Sequence, residues 1–211
     1  VANCPTYALK LSGRQMGTEE ILTEVNRDRT YYEVSGGGLT LSGGEPFVQY
    51  EGFLALLADA KKEGLHTAVE TAADVPKERF AQVWPYIDQL LLDIKHWDGE
   101  KLHAVTGASL ERIQENLRFA CRNGRERVTV RVPVIPGFNS TEKDMEGIFR
   151  LAAGCGAYKV HLLPYHTMGK DKYRQLGRRY PWPEEKVLAK DSLFPYRELG
   201  VGMGLQVRIG G

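Results

Sequence analysis

The alternation of two apolar patterns constrains most what this chain can fold into. Short apolar runs typical of strands are repeatedly followed by amphipathic segments with a helical period. Strands are predicted at residues 38–42, 66–70, 89–95, 127–133, 158–163 and 205–209. Helices are predicted at residues 50–62, 76–84, 109–121 and 141–153. Strands that alternate with helices indicate βαβ units, and therefore an α/β fold with a mainly parallel sheet.

Length and composition exclude several classes of protein. The chain has 211 residues, which predicts one domain or two small ones. Its formal net charge of +1 leaves no overall electrostatic footprint for nucleic acid. No apolar run approaches the ~20 residues of a membrane span, and no signal peptide is recognisable. We therefore expect a cytoplasmic protein that binds neither nucleic acid nor membrane.

Polar side chains follow the predicted strands at the point where each strand ends. The carboxyl ends of parallel strands share one rim, and ligands bind there. The residues expected to converge at this rim are Glu45, Glu70, Thr71, Asp93, Lys95 and His166. Five of these residues also have a plainer interpretation: an ion pair for Asp93 and Lys95, a helix cap for Glu70 and Thr71, and an ordinary loop histidine for His166.

A glycine-rich segment, residues 35–46, runs through the first predicted strand. It is neither a Walker loop nor a dinucleotide fingerprint, because the required offsets are missing. Gly43 and Gly44 come directly after the strand, where residues without Cβ let a ligand approach the backbone closely. A tight turn without a ligand explains the same pair. Residues 164–182 are irregular and predict either a mobile flap or a plain surface excursion.

The three cysteines make no metal site by their spacing, because the chain contains no Cys-x-x-Cys. Cys121 is expected in a helix and Cys155 at a helix end, both with structural roles. Cys4 is followed by Pro5, with Ala8 three residues later. The last cysteine of the cluster-binding motif in bacterial ferredoxins is followed by Pro in the same way.

Several motifs in order give the chain a family resemblance over almost its whole length. They are Thr-Leu-Ser-Gly-Gly-Glu-Pro at 40–46, Leu-Asp-Ile-Lys at 92–95, Val-Arg-Val-Pro-Val-Ile-Pro-Gly at 130–137, Leu-Leu-Pro-Tyr-His at 162–166 and the terminal 206–211. The chain resembles the activating enzymes of glycyl-radical enzymes, such as pyruvate formate-lyase activating enzyme. These belong to the radical S-adenosylmethionine (SAM) superfamily.

The resemblance implies a SAM site on the rim. The loop of Gly43, Gly44, Glu45 and Pro46 would hold the methionine amino group. The segment Asp93–Lys95, which includes Ile94, would contact the methionine part, with Lys95 suited to its carboxylate. His166 would contact the ribose side.

The resemblance also implies roles around that site. Glu70 and Thr71 stand where relatives carry an acidic residue and Thr near a monovalent cation, although Glu replaces a shorter Asp here. Arg131 would face the incoming protein substrate. Cys4 would belong to an accessory cluster together with residues upstream of this chain.

The implied fold is a partial (βα) TIM-like barrel that lacks its first strand. Residues 1–15 would be the tail of a ferredoxin-like insert, and residues 16–211 the partial barrel. The family's Cys-x-x-x-Cys-x-x-Cys loop, which holds a [4Fe–4S] cluster, would lie upstream. We therefore expect a fragment that is inactive alone and, because of an exposed sheet edge, tends to dimerise or aggregate.

The implied reaction is reductive cleavage of SAM to a 5′-deoxyadenosyl radical, which takes a hydrogen from a glycine of a partner enzyme. The partners would be a glycyl-radical enzyme and an electron donor such as flavodoxin or ferredoxin. Two alternatives remain. One is a cluster-free barrel that binds SAM or a nucleoside, and the other a lyase with Lys95 as Schiff-base amine. Asp93 argues against the lyase, because an opposite charge favours the protonated lysine.

Overall fold

The core of the fold is one six-stranded parallel sheet. We describe it from a computed structural model, which covers Pro5 and residues 13–182 and 187–210. The strands are β1 (Gly38–Leu41), β2 (His66–Thr71), β3 (Gln89–Asp93), β4 (Val128–Val134), β5 (Lys159–Pro164) and β6 (Gln206–Ile209). All neighbours pair in parallel, in the order β1-β2-β3-β4-β5-β6. The predicted strands are confirmed, although β3 ends at Asp93 rather than at Lys95.

Two described helices precede β1, and at least one α-helix follows each strand from β1 to β5. The helices are α1 (Thr18–Asn26), α2 (Arg29–Ser35), α3 (Tyr50–Lys62), α4 (Lys77–Val83), α5 (Gly99–Thr106), α6 (Leu110–Gly124), α7 (Glu142–Gly154), α8 (Lys170–Gln175) and α9 (Phe194–Gly202). The four predicted helices correspond to α3, α4, α6 and α7. Ser109 and Thr141 cap α6 and α7 by accepting hydrogen bonds from backbone N–H groups of the first turn. Sequence analysis missed α1, α2, α5, α8 and α9.

The sequential strand order determines where the helices lie. Crossovers between parallel strands are right-handed, so an order that never reverses puts the crossover helices on one face of the sheet. That face forms the main core, with fully buried side chains such as Val69, Leu90, Val132 and Leu162. The other face, called here the open face, carries Glu70, Asp93 and Arg131. This architecture agrees with the predicted partial TIM-like barrel.

The β1 end of the sheet has a small core of its own. Leu22 of α1 packs with Leu56, Ala60 and Leu65. At the start of β1, a Cβ on Gly38 would lie 2.0 Å from the backbone oxygen of His66. A residue without a side chain therefore allows β1 to approach β2 so closely.

The described part of the chain does not test two of the predictions. Cys4 and most of the expected 1–15 segment lie outside it, so the domain boundary remains a prediction. Among the described strands, β1 and β6 each have one neighbour, and the expected dimerisation through an edge also remains a prediction. No described helix is long and apolar enough to cross a membrane.

Candidate functional site

The loop after β1 is fastened to the end of β2 by the carboxylate of Glu45. Glu45 Oε1 accepts a hydrogen bond from Thr71 Oγ1 at 2.7 Å, and Oε2 accepts one from the Ala72 N–H at 3.0 Å. Pro46 then begins a short 3₁₀ helix, Pro46–Gln49. Glu45 thus positions the loop, and the main-chain groups of the two glycines before it are the available binding groups.

Gly43 and Gly44 are exposed and face open space. No heavy atom lies within 4 Å of a Cβ built on either residue, neighbouring residues excluded. Gly43 has a φ of +127°, a conformation that side-chain-bearing residues rarely adopt. The pair therefore provides a surface on which a ligand can contact the backbone without steric hindrance.

Four charged side chains form a continuous row across the ends of β2, β3 and β4. Arg131 Nη1 donates to Glu70 Oε1 at 2.6 Å, and Arg131 Nε donates to Asp93 Oδ1 at 3.0 Å. Lys95 Nζ donates to Asp93 Oδ2 at 3.2 Å. The side chains of Arg131 and Asp93 are 17% and 19% exposed, so water screens this row only in part. The predicted convergence of Glu70, Asp93 and Lys95 is observed.

Arg131 is the cation at the centre of this row. Burial disfavours its charged form, but the carboxylates of Asp93 and Glu70 outweigh burial and raise the pKa of the guanidinium. Its hydrogen bonds to these carboxylates use two of its nitrogens. Contact with a protein substrate would therefore involve the remaining Nη2 or a rearrangement of the row.

The end of β2 is closely hydrogen-bonded. Thr71 is buried, and its Oγ1 both donates to Glu45 and accepts from the Ala73 N–H at 2.8 Å. Ala73 has a φ of +54°, and its carbonyl oxygen accepts from Asn116 Nδ2 at 2.8 Å. Asn116 Nδ2 also donates to the carbonyl of Val75, which holds the strained loop from the α6 side.

The expected cation site therefore involves residues that already have partners. The Glu70 carboxylate contacts Arg131, and the Thr71 hydroxyl contacts Glu45. The described residues contain no group of three or more His, Cys, Asp or Glu that could hold a metal ion. A monovalent cation at Glu70 remains a prediction that would require displacement of these contacts.

Sequence analysis missed Asn139, which links the ends of β3 and β4. Its side chain is fully buried. Asn139 Nδ2 donates to the carbonyls of Lys95 and Pro133, both at 2.8 Å, and Oδ1 accepts from the Ile135 N–H at 2.7 Å. It therefore fixes the backbone that carries Asp93, Ile94 and Lys95. Ile94 is itself buried, and its N–H donates to the carbonyl of Arg131 at 2.9 Å.

His96, the residue after Lys95 in the sequence, was also missed by sequence analysis. Its ring is fully buried beside Phe138, and its Nδ1 accepts from the Asp98 N–H at 2.9 Å. Nε2 lies 3.5 Å from Asp144 Oδ1 but forms no hydrogen bond. Burial lowers the pKa of His96, although the Asp144 carboxylate opposes this shift. His96 therefore packs as a neutral ring.

His166 borders an aromatic pocket after β5. The pocket has a volume of about 280 Å³ and is lined by Pro133, Ile135, Leu163, Pro164, Tyr165, His166, Gly169, Tyr173, Tyr180 and Trp182. Tyr173 and Tyr180 meet edge to face with 5.3 Å between ring centroids, and Trp182 lies 5.5 Å from Phe138. The irregular stretch 164–182 thus packs along the rim. It forms an apolar recess next to His166.

The two described cysteines have the structural character that was expected. Burial raises the pKa of Cys121 to about 11 and also raises the pKa of Cys155. Neither thiol is a ready nucleophile or metal ligand.

The fold is a parallel sheet with a glycine loop and a row of charged side chains at its carboxyl rim. Comparison with known protein families identifies the class of protein that has this architecture. A comparison with protein families matches residues 3–152 to the radical SAM superfamily. The chain belongs to the radical SAM superfamily.

Curated relatives specify the branch of this superfamily. The chain is 44% identical over 182 residues to the isethionate sulfite-lyase activating enzyme of Oleidesulfovibrio alaskensis, covering 86% of this chain and 59% of the relative. It is 33% identical to the pyruvate formate-lyase 2-activating enzyme of Escherichia coli, covering 99% of this chain and 71% of that enzyme. The resemblance to the activating enzymes of glycyl-radical enzymes is thereby confirmed.

A solved structure supports the same assignment. A domain of a pyruvate-formate lyase-activating enzyme from Bacteroides vulgatus superposes with a TM-score of 0.67 at 26% identity, covering 83% of this chain and 99% of that one. The chain spans about 60% of the length of curated relatives such as the isethionate enzyme.

Proposed function

We propose that the protein activates a glycyl-radical enzyme by radical SAM chemistry, and that the described rim holds SAM. One observation carries the proposal. The Gly43–Gly44 loop and the Asp93–Lys95 segment, which match the family's motifs, lie on the same rim as an aromatic pocket at His166. The rim thus offers separate groups for the amino, carboxylate and adenosine parts of SAM.

Each part of the ligand has a matching chemical environment. Exposed main-chain carbonyls at Gly43 and Gly44 suit the methionine ammonium group. The Lys95 ammonium suits the carboxylate, because charge-assisted hydrogen bonds are the stronger kind. The aromatic recess beside His166 suits stacking of the adenine ring and contact with the ribose. When bound and reductively cleaved, SAM supplies a 5′-deoxyadenosyl radical in this family.

The remaining residues of the row would position these groups. Asp93 holds Lys95 on one side and Arg131 on the other, so it orders both sides of the rim. Arg131 would meet the protein substrate through Nη2, which has no hydrogen-bond partner among the residues that the structure describes. Thr71 would keep the glycine loop in place through its hydrogen bond to Glu45, and Pro46 by beginning the 3₁₀ helix that follows the loop.

The cluster belongs to the family, but the described residues show no ligands for it. They contain no group of three or more His, Cys, Asp or Glu suited to a metal ion, and Cys4 lies outside them. We therefore place no cluster contact on the described residues. A flavodoxin or ferredoxin as electron donor and a reducing cytoplasm as location belong to the same proposal.

The test of function uses the complete product of the gene, reconstituted with iron and sulfide without oxygen. Glycyl-radical enzymes of the classes in the relatives' names, such as isethionate sulfite-lyase, serve as partners. We expect a SAM- and reductant-dependent glycyl radical, seen as a doublet by electron paramagnetic resonance. SAM cleavage without a radical on any partner would contradict the activating function.

The test of the site measures SAM binding to the chain itself by calorimetry. We expect Lys95→Met to weaken SAM binding by about tenfold or more, the typical effect of losing a charge-assisted hydrogen bond. Lys62→Met is the matched control, because Lys62 is exposed at the carboxyl end of α3, near the amino end of β2 and therefore on the side of the sheet opposite the rim. Equal affinities for the two variants would remove Lys95 from the site. Binding without radical formation by the complete product would favour the SAM-binding alternative.

A further inference from the structure

A row of basic side chains crosses the open face of β4, β5 and β6. The strand register pairs Arg131 with His161, and His161 with Arg208. Cα partners in a parallel sheet present their side chains to the same face, so these three lie side by side. Lys159 lies two residues before His161, on the same face and nearer the amino ends of the strands.

No acidic residue balances the outer part of this row. The open-face positions of β4 to β6 are Thr129, Arg131, Pro133, Lys159, His161, Leu163, Gln206 and Arg208. Arg131 turns to Glu70 and Asp93, and Lys159 Nζ donates to the backbone carbonyl of Glu126. Within the described part of the chain, neither His161 nor Arg208 has a hydrogen-bond or ion-pair partner.

These groups surround a cavity of about 280 Å³ that is separate from the SAM rim. Its lining residues are Gln89, Leu91, Thr129, Lys159, His161, Gln206 and Arg208. All of these residues belong to strands. They lie at the level of Arg131 in the sheet or nearer to the amino ends of the strands. The lining supplies amide, hydroxyl, imidazole, ammonium and guanidinium donors, and no carboxylate.

We propose that this cavity binds a small oxyanion, through a phosphate or carboxylate group held between His161, Lys159 and Arg208. Lys159 and His161 are half-buried and Arg208 is exposed, so the basic groups repel one another at the mouth of this cavity. An anion removes that repulsion and accepts hydrogen bonds from His161 and Arg208, which have no partner among the described residues. Arg208 offers the planar fork that suits two oxygens of one oxyanion. The proposal is independent of SAM, because none of the cavity's lining residues belongs to the proposed SAM site.

The electrostatics of His161 reflect the positive charge around this cavity. Burial lowers the pKa of its imidazole, and Arg208, Arg131 and Lys159 lower it further. These are the charged groups that face it from β4, β5 and β6. A bound anion would oppose the three cations and raise that pKa.

The experiment titrates the purified chain with inorganic phosphate and, separately, with succinate, at constant ionic strength set with chloride. Chemical shifts of the histidine imidazoles, assigned by His161→Gln, report binding. We expect at least one of the two anions to saturate the shift of His161 and to raise its pKa. The absence of saturation by both anions, or an unchanged His161 pKa at saturation, would overturn the proposal.

Matched arginine variants locate the anion. We expect Arg208→Gln to weaken binding by about tenfold, the effect of losing one charge-assisted contact. Arg150→Gln removes an equal charge from the exposed surface of α7 and should leave the affinity unchanged. Spectra of the free variants show that each is folded. If Arg208→Gln binds as tightly as wild type, or if both variants weaken binding equally, the anion is not in this cavity.

Discussion

At the scale of single residues, Arg131 organises the charges of the rim. It lies between the carboxylates of Glu70 and Asp93, and no other described cation contacts both. Without it, the carboxylates of Glu70 on β2 and Asp93 on β3 would face each other, with Lys95 as the remaining described cation beside Asp93.

We predict that Arg131→Met lowers the free energy of unfolding by about 2 kcal/mol, because removal of one partner leaves partly buried charge uncompensated. Urea unfolding at pH 7 measures the change. Arg150→Met is the control, since the exposed pair of Arg150 with Glu146 contributes at most about 0.5 kcal/mol. Similar losses in the two variants would show that the rim charges are not coupled as described.

Asn139 makes a second prediction at this scale. Asn139→Asp keeps an acceptor for the Ile135 N–H but loses both donors to the carbonyls of Lys95 and Pro133. We expect it to lower the free energy of unfolding by about 2–3 kcal/mol at pH 7, with a smaller loss at pH 5, where a protonated acid can donate again. Asn123→Asp, on the exposed side of α6, is the control. A loss independent of pH would contradict the donor role.

At the scale of elements, the contact of β1 with β2 depends on Gly38. We predict that Gly38→Ala destabilises the protein by about 1–3 kcal/mol, because its Cβ would overlap the backbone of His66. Gly52→Ala, at an open position in α3, should instead stabilise it by up to about 1 kcal/mol. Thermal unfolding compares the two. A stabilised Gly38→Ala would show that β1 is not held so close to β2.

The same scale explains what sequence could and could not predict. Periodicity predicted every strand and the four helices α3, α4, α6 and α7, because apolar residues recur along one buried face of each helix. It missed α5, which buries one side chain, and α8, which buries none. The carboxyl ends of parallel strands share one rim, and this principle predicted the convergence of Glu70, Asp93 and Lys95. It could not predict the Arg131–Glu70 contact or the Asn139 bridge, since these depend on residues 61 and 44 positions away.

At the scale of the whole molecule, the buried His96 and the half-buried His161 contribute to the dependence of stability on pH. Burial lowers the folded-state pKa of His96 and of His161 below the usual 6.5. The unfolded chain then binds more protons below pH 6.5, so stability present above that pH is lost as the pH falls. Asp88 has a lowered pKa, because hydrogen bonds and charge from Lys61 outweigh burial; its stabilisation is lost only below about pH 4.

We therefore predict that the free energy of unfolding falls between pH 7 and pH 5, and that a His96→Gln, His161→Gln double variant shows a smaller fall. Urea unfolding at pH 7.0, 6.0 and 5.0 measures both slopes. An equal slope for wild type and the double variant would show that other groups bind the protons.

The unbroken strand order also bears on how the chain is made. Each strand pairs with the strand synthesised just before it, so no strand must wait for a distant, later segment. When β3 and α5 have left the ribosome, β2 already has both of its neighbours. The sheet can therefore grow one βα unit at a time from its β1 side during translation. The rim would be completed last, when β5 and the aromatic stretch after it emerge.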